Sequence, residues 1–146
     1  MFHRIVVATD FSECSQEAWG LARRIGAVPG SELILVHVLT EVPLYGEGLF
    51  NMETARKVRE GARKWAESAL EDRVTEARAA GLSARAAVRT GVPYEEIVAV
   101  ARDERADLVV IGTHGRGGIN RVLLGSVADR VARLAPCPVL TVRETA

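Results

Sequence analysis

Short apolar runs alternate with longer amphipathic segments along the chain. The runs span residues 3–9, 32–39, 83–89, 107–112 and 139–143. The first is nearly continuous in hydrophobic side chains, as expected of a strand that is covered on both faces, whereas residues 83–89 favour a strand less because Ala and Arg are poor strand formers. The segments between them repeat apolar positions at helical spacing and predict helices over residues 13–26, 54–80, 93–105 and 126–134. This alternation favours a single-domain α/β fold, an open parallel five-stranded sheet with helices on both faces.

Several local signals support these bounds. Ser12 is a suitable N-cap for the first helix. Pro93 fits the first position of the third helix, and Gly81 fits the position that follows the second. In the second helix, the apolar stripe that repeats at helical spacing consists of Val58, Ala62, Trp65, Ala69 and Val74. Residues 40–51 are expected to form a loop.

Composition narrows the class of protein. The 146 residues suit one domain over 1–146, and 48% hydrophobic with 26% charged residues is typical of a soluble globular protein. The formal net charge is zero, which argues against a general binder of nucleic acid or anionic membrane. No run approaches the roughly 20 apolar residues of a membrane span, and the N-terminus lacks the features of a secretory signal. Cys14 and Cys137 match no metal or redox spacing, so we expect reduced thiols and a cytoplasmic location.

Glycines cluster after the fourth predicted strand, at Gly112, Gly115, Gly117, Gly118 and Gly125. This segment leaves the sheet at its carboxyl edge, where ligands of open α/β folds bind. Glycines let the backbone approach an anion and turn its N–H groups inward, and Ser126 then opens a helix whose positive end favours phosphate. The alternative interpretation is a flexible surface loop followed by an ordinary capped helix.

Two common nucleotide-binding signatures are absent from the sequence. A P-loop requires lysine after its last glycine, but Gly118 follows Gly117 and Ser126 follows Gly125. The dinucleotide-binding fingerprint belongs after the first strand, but residues 9–12 read Thr-Asp-Phe-Ser. P-loop hydrolases and Rossmann dehydrogenases are therefore poor interpretations.

The segment from Gly112 to Ser126 resembles the ATP-binding motif of the universal stress protein family. That motif is G-x-x-G, nine residues, then G followed by Ser or Thr, and the spacing here matches it. Residues 8–12 (ATDFS), 35–38 (LVHV), 107–112 (DLVVIG) and 137–142 (CPVLTV) are similar to further family segments, so the resemblance covers nearly the whole chain. It implies sheet order 3-2-1-4-5, a fold similar to that of adenine-nucleotide α-hydrolases, and a regulatory, ATP-binding function in the stress response.

In that strand order, the first and fourth strands are neighbours and a crevice opens between their connections. By analogy with the family, the nucleotide-binding residues are Ala8, Thr9, Asp10, Val38, Gly112, Thr113, His114, Gly115, Arg116, Gly117, Gly125, Ser126 and Val127. The resemblance places Ala8 and Thr9 on the adenine side and the backbone of Val38 at the adenine edge. It places the glycines and the first residues of the last helix at the ribose and phosphates, with His114 and Arg116 as sources of positive charge.

Some of these residues have equally simple structural interpretations. Asp10 lies near the nucleoside by analogy, and could act there through a divalent metal such as Mg²⁺ or Mn²⁺, but it could instead cap the first helix together with Ser12. Val38 could be a plain core valine, and His114 could point to solvent. His3 and His37 have no partner visible in the sequence and are expected to be structural.

The sequence assigns no catalytic residue. It contains no evident nucleophile–base pair, and no lysine or Walker-type acid is placed for phosphoryl transfer. Some family members hydrolyse ATP slowly or phosphorylate themselves, so the resemblance implies weak turnover at most.

The resemblance also implies an assembly. The fifth strand is expected to be an open edge, and relatives dimerise through it, which implies a homodimer through residues 139–143. One alternative function is a nucleotide-independent interaction module, because some universal stress proteins bind no nucleotide. Another is an adenylating ligase or an electron-transfer flavoprotein subunit, but the Ser-Gly-Gly signature of the adenylating enzymes is absent after the first strand.

Overall fold

Strands and helices alternate along the computed structural model, which describes residues 1–40, 52–115 and 123–144. The strands are β1 (Arg4–Ala8), β2 (Glu32–Leu39), β3 (Ser83–Thr90), β4 (Leu108–Gly112) and β5 (Val139–Val142). The helices are α1 (Glu13–Ile25), α2 (Met52–Ala79), α3 (Pro93–Asp103) and α4 (Ser126–Leu134). Every strand and helix predicted from the hydrophobic pattern is present, with ends that differ by at most two residues.

The strands form one parallel sheet in the order β3-β2-β1-β4-β5, within the part of the chain that the structure describes. This is the order that the family resemblance implies. β1 lies between β2 and β4, with Val7 paired to Leu35 on one side and to Val110 on the other. The connections of β1 and β4 leave toward opposite faces, so a crevice opens between them at the carboxyl edge.

Each face of the sheet has its own hydrophobic core. Ile5, Val7 and Leu35 belong to the core that α1 and α2 cover. Val6, Val36 and Val109 belong to the core that α3 and α4 cover. Because successive side chains of a strand point to opposite faces, strands buried on both sides read as continuous apolar runs, which is why the sequence pattern predicted them well.

The predicted apolar stripe of α2 is wrong in its first half. Val58 and Trp65 are 61% and 57% exposed, whereas Leu70 and Val74 are fully buried. The helix has 28 residues and is about 42 Å long, whereas the eight residues of β3 span only about 26 Å. The first half of α2 therefore extends past the sheet, and the described residues leave most of the Val58 and Trp65 side chains uncovered there.

The predicted capping residues are confirmed. The side chain of Ser12 caps α1 by accepting the Ser15 amide at 3.2 Å. Pro93 opens α3, and Gly81 has a φ of +87° just after α2, a conformation that favours glycine. Among the helices of the described ranges, none is both long and apolar enough to cross a membrane.

Candidate functional site

The turn between β1 and α1 is held by its own polar groups. Thr9 is buried; its amide donates to the Val36 carbonyl (2.9 Å), and its Oγ1 accepts the Phe11 amide (3.0 Å). Asp10 Oδ1 accepts the Ser12 amide (3.0 Å), as is typical of an Asx turn. Phe11 has a φ of +65°, an unusual value for an aromatic residue. These contacts fix Asp10 at the carboxyl end of β1.

The end of β4 is joined to the beginning of α4. The Thr113 amide donates to the Val142 carbonyl at 2.9 Å, which extends the pairing of β4 with β5. The Thr113 carbonyl accepts the Gly125 amide at 2.7 Å. Gly112, Gly115 and Gly125 therefore lie around one short stretch of backbone, although the last two are ten positions apart in the sequence.

Close contacts leave no room for a side chain at these glycines. A Cβ on Gly125 would lie 2.6 Å from the Thr113 carbonyl oxygen, and one on Gly112 would lie 3.0 Å from the backbone of Cys14. A Cβ on Gly115 would overlap Asp10 Oδ2. None of these three glycines has a positive φ, so at Gly112 and Gly125, where the close atoms are backbone, space and not backbone conformation requires glycine. The Gly115–Asp10 approach shows that the glycine loop and the β1 turn face each other across the crevice.

Side-chain capping distinguishes the beginnings of α1 and α4. Ser12 caps α1, whereas the N-cap residue of α4 is Gly125, and no side chain of the described residues caps that helix. Ser126 is exposed at the first position of α4, and the acidic residue of the first turn, Asp129, pairs with Arg133 at 3.2 Å. The first amides of α4 therefore form an N-terminus suited to an anion.

His114 lies on the glycine loop and does not simply point to solvent. Its ring is partly buried, with Nδ1 3.1 Å from Thr113 Oγ1. Its Nε2 is buried and makes no hydrogen bond to any residue within the described ranges. A buried polar atom of this kind is normally paired in a folded protein.

Three of the predicted site residues are apolar and lie on the α3 and α4 face of the sheet. Ala8, Val38 and Val127 all belong to or pack on the core between the sheet and α3 and α4. Thr9 differs from them, because its hydroxyl contacts Ser15 Oγ of α1 at 3.0 Å on the other face of the sheet. The Thr9 hydroxyl is therefore directed away from the side of the sheet on which Ala8 and Val38 lie.

The structure brings most of the predicted site residues together at one edge, and Arg116 and Gly117 lie outside the described residues. Asp10 proves to be both a turn residue, through Oδ1, and a residue of the crevice, through the approach of Oδ2 to Gly115. Within residues 1–40, 52–115 and 123–144, no group of three or more His, Cys, Asp or Glu side chains is arranged to hold a metal ion.

Sequence reasoning missed the part played by His37. Its Nδ1 lies 2.8 Å from the Thr9 carbonyl oxygen, and its ring centroid lies 4.7 Å from that of Phe11. The signal available in the sequence was its position in β2, immediately before Val38.

Tightly paired charges lie at the opposite, amino edge of the sheet. Arg85 of β3 binds Glu104 and also Glu32 at 3.0 Å, and the pairing lowers the pKa of the Glu104 carboxyl. Asp107 accepts the amides of His3 (2.7 Å) and Arg4 (3.1 Å). The charge pairs at the amino edge therefore stabilise the fold at a distance from the crevice.

At the carboxyl edge, a hydrogen bond to Glu144 raises the pKa of the exposed Glu13.

Comparison with known sequences finds relatives over the whole length of the chain. Residues 1–143 match the profile of the Universal stress protein family. Universal stress protein MJ0531 of Methanocaldococcus jannaschii is 35% identical over 99% of this chain and 84% of that protein. A universal stress protein of Thermus aquaticus is also 35% identical, over 98% of this chain and the full length of that protein.

Solved structures with the same fold cover the chain from end to end. The structure of MJ0577 from Methanocaldococcus jannaschii superposes with a TM-score of 0.88 at 29% identity, covering 100% of this chain and 99% of that one. A universal stress protein in complex with cAMP superposes with a TM-score of 0.71 at 28% identity, covering 99% and 98%.

Proposed function

The chain belongs to the universal stress protein family, and on that premise we propose that it is a regulatory protein of the stress response that binds ATP at the carboxyl edge, between β1 and β4. The observation that carries the proposal is the approach of Asp10 and the glycine loop beside the start of α4. Three features meet in one crevice. They are the acidic turn at Asp10, the glycine loop, where an added Cβ would collide with its neighbours, and the N-terminus of α4, which no described side chain caps.

The apolar wall of the crevice suits a nucleobase. Ala8 and Val38 belong to or pack on the apolar core on the α3 and α4 face of the sheet, beside the end of β1. A structural relative that is 28% identical was solved in complex with cAMP, which supports an adenine ligand for this site as well. In the proposed complex the adenine lies against these side chains, and the ribose lies toward Asp10 and Gly112.

The phosphates are proposed to bind to the backbone. The amides of Ser126 and Val127 point out of the positive end of α4, where an anion is favoured, and the Ser126 hydroxyl is exposed beside them. The Gly125 amide already donates to the Thr113 carbonyl, so Gly125 contributes the close approach of the backbone. His114 Nε2 would gain a partner, and Arg116 and Gly117 belong to the same proposed cradle. This arrangement explains how a chain with a formal net charge of zero can bind a polyanion of small size.

A divalent cation such as Mg²⁺ or Mn²⁺ fits the site as a companion of the nucleotide. Asp10 is the carboxylate that would hold it, together with phosphate oxygens and water, since Mg²⁺ in nucleotide sites takes only one or two protein carboxylates. Such an ion would neutralise phosphate charge. No residue of the described crevice is placed as a general base beside a nucleophile, so we propose slow hydrolysis at most and a regulatory use of the bound nucleotide.

Titration calorimetry with ATP and Mg²⁺, preceded by mass spectrometry for co-purified nucleotide, tests the proposal. Gly115→Ala should weaken ATP binding by at least about tenfold, because the new Cβ displaces the Asp10 carboxylate. Gly61→Ala is the matched control: it makes the same chemical change within α2, where a Cβ meets nothing within 4 Å. A wild-type protein that neither carries nor binds adenine nucleotide would refute the proposal and favour a nucleotide-independent interaction module.

We also propose that two copies pair through β5 in the cytoplasm. β5 is an outer strand of the described sheet, and each of its residues is partly exposed. An uncovered edge strand offers its unpaired backbone groups to another chain. β5 also contacts the proposed site, because the Val142 carbonyl accepts both the Thr113 amide and the Cys14 thiol.

A further inference from the structure

The imidazole of His37 occupies an unusual place in the sheet. Its Nδ1 is 2.8 Å from the carbonyl oxygen of Thr9, the first residue beyond β1. A carbonyl oxygen only accepts hydrogen bonds, so Nδ1 carries the proton and His37 is the donor. A side chain of β2 is therefore bound to the backbone of the neighbouring chain segment at the point where β1 ends.

The direction of the β2 peptide groups shows what this bond replaces. The Val36 carbonyl accepts the Thr9 amide, and the Leu39 carbonyl accepts the Gly91 amide on the β3 side. Since peptide groups alternate along a strand, those of Val38 face the same side as those of Val36, toward β1. A continued parallel ladder would join the Val38 amide to the Thr9 carbonyl, the acceptor that His37 takes instead.

The backbone of Val38 is consequently left facing the crevice. No hydrogen bond joins its N–H or C=O to the described residues that follow β1. One donor and one acceptor on the same residue, directed past the end of β1, match the Watson–Crick edge of adenine, which offers N1 as acceptor and the N6 amino group as donor. Guanine offers the reverse pattern, an O6 acceptor and an N1 donor.

We propose that His37 is a positioning residue for nucleobase recognition, an inference that rests on the proposed function. By replacing the next ladder bond, its imidazole allows β1 and β2 to part and keeps the Val38 peptide available to adenine. His37 itself is not proposed to touch the nucleotide.

Neighbouring side chains hold the imidazole in place from the α2 side of the sheet. The Phe11 ring is 4.7 Å from the His37 ring and packs edge-on against Trp65 at 4.8 Å. The Arg73 guanidinium lies 4.9 Å from the centre of the Phe11 ring. The same contacts surround Phe11, whose positive φ needs neighbouring structure to be maintained.

Two substitutions separate the hydrogen bond from the bulk of the side chain. His37→Asn keeps an N–H donor near the position of Nδ1, whereas His37→Leu fills similar space without a donor. We expect His37→Leu to weaken ATP binding by about tenfold, the effect of leaving a buried carbonyl without its partner, and to lower the ratio of ATP affinity to GTP affinity. His37→Asn should keep both quantities within about threefold of the wild type.

The ATP-to-GTP ratio distinguishes positioning from a merely structural role. If His37→Leu lowers the melting temperature but leaves the ratio unchanged, or if it binds ATP as the wild type does, the inference is wrong. A wild-type protein that binds neither nucleotide would refute the proposed function instead.

An NMR measurement tests the bond without any nucleotide. The ¹⁵N spectrum of the wild type should show a protonated Nδ1 on His37, and the Phe11 amide should exchange slowly with solvent. His37→Leu should accelerate exchange at Phe11, because the Thr9 turn loses its tie to β2, and His37→Asn should not. A neutral His37 protonated at Nε2 alone would overturn the assignment.

Discussion

Substitution of Gly125 by alanine is the sharpest test of the proposed phosphate cradle. Gly125 has φ −60° and ψ 156°, values that alanine adopts freely, so no backbone strain is expected. The obstacle is the Thr113 carbonyl oxygen, 2.6 Å from the position of the new Cβ. Because that oxygen is backbone and also accepts the Gly125 amide at 2.7 Å, it cannot rotate away from the methyl group.

The cost follows from this geometry. The separation must grow from 2.6 Å to at least 3.0 Å, which moves the start of α4 away from the end of β4. Overpacking of this kind costs about 1–3 kcal/mol, and weakening the Gly125–Thr113 hydrogen bond adds about 1 kcal/mol. For a chain of this length, the total corresponds to a fall in melting temperature of roughly 6–15 °C.

Differential scanning calorimetry measures the stability change, and ATP titration at a temperature where both proteins are folded measures binding. We expect Gly125→Ala to bind ATP at least about tenfold more weakly, since the displaced helix amides no longer converge with the glycine loop. Gly61→Ala should instead raise the melting temperature by about 2–4 °C, because alanine is the better residue in an open helical position.

Two results would contradict this reasoning. If Gly125→Ala melts within about 2 °C of the wild type, the contact between α4 and β4 is looser than the distances indicate. If it is destabilised as expected but binds ATP normally, the beginning of α4 is not the phosphate site.

Three further predictions concern the fold and the assembly. Thr141→Pro should convert a homodimer to a monomer in light scattering without unfolding the chain. The carbonyls of residues 138 and 142 point to β4, so the Thr141 amide points away from the sheet and proline removes no bond to β4. A dimer that persists would refute pairing through β5. Glu104→Gln should lower the free energy of urea unfolding at pH 7 by at most about 1 kcal/mol, since its pair with Arg85 is partly exposed. Arg85 lowers the pKa of Glu104, so the stabilisation by this pair is present above the pKa that Glu104 has in the unfolded chain, and it is lost as the pH falls through the pKa of the folded protein. The difference in free energy of unfolding between wild type and variant should therefore vanish well below about pH 4. A difference that grows in acid would contradict the assignment. Leu70→Ala should cost about 2–5 kcal/mol in the same assay and Val58→Ala less than about 0.5 kcal/mol, whereas equal losses would show that the first half of α2 is also packed.

Local signals in the sequence were sufficient for the elements themselves. The strands β1, β2 and β4 are largely buried on both faces and read as apolar runs, and the beginnings of α1 and α3 follow from the capping group of Ser12 and the fixed φ of Pro93. These effects act between residues a few positions apart, so a sequence contains them directly. The spacing of Gly112, Gly115 and Gly125 was equally visible, and the match to the family profile confirms the family that this motif indicated.

Contacts between distant parts of the chain could only be seen in the folded structure. The hydrophobic pattern of α2 could not show that β3 is too short to cover Val58 and Trp65. Nothing local relates His37 to the Thr9 carbonyl, 28 positions earlier, because that hydrogen bond depends on strand register. The same is true of Asp10 and Gly115, which meet because β1 and β4 are neighbours in the sheet. Spacing along the chain determined the elements and the motif, whereas strand order and register decided which of those residues face one another.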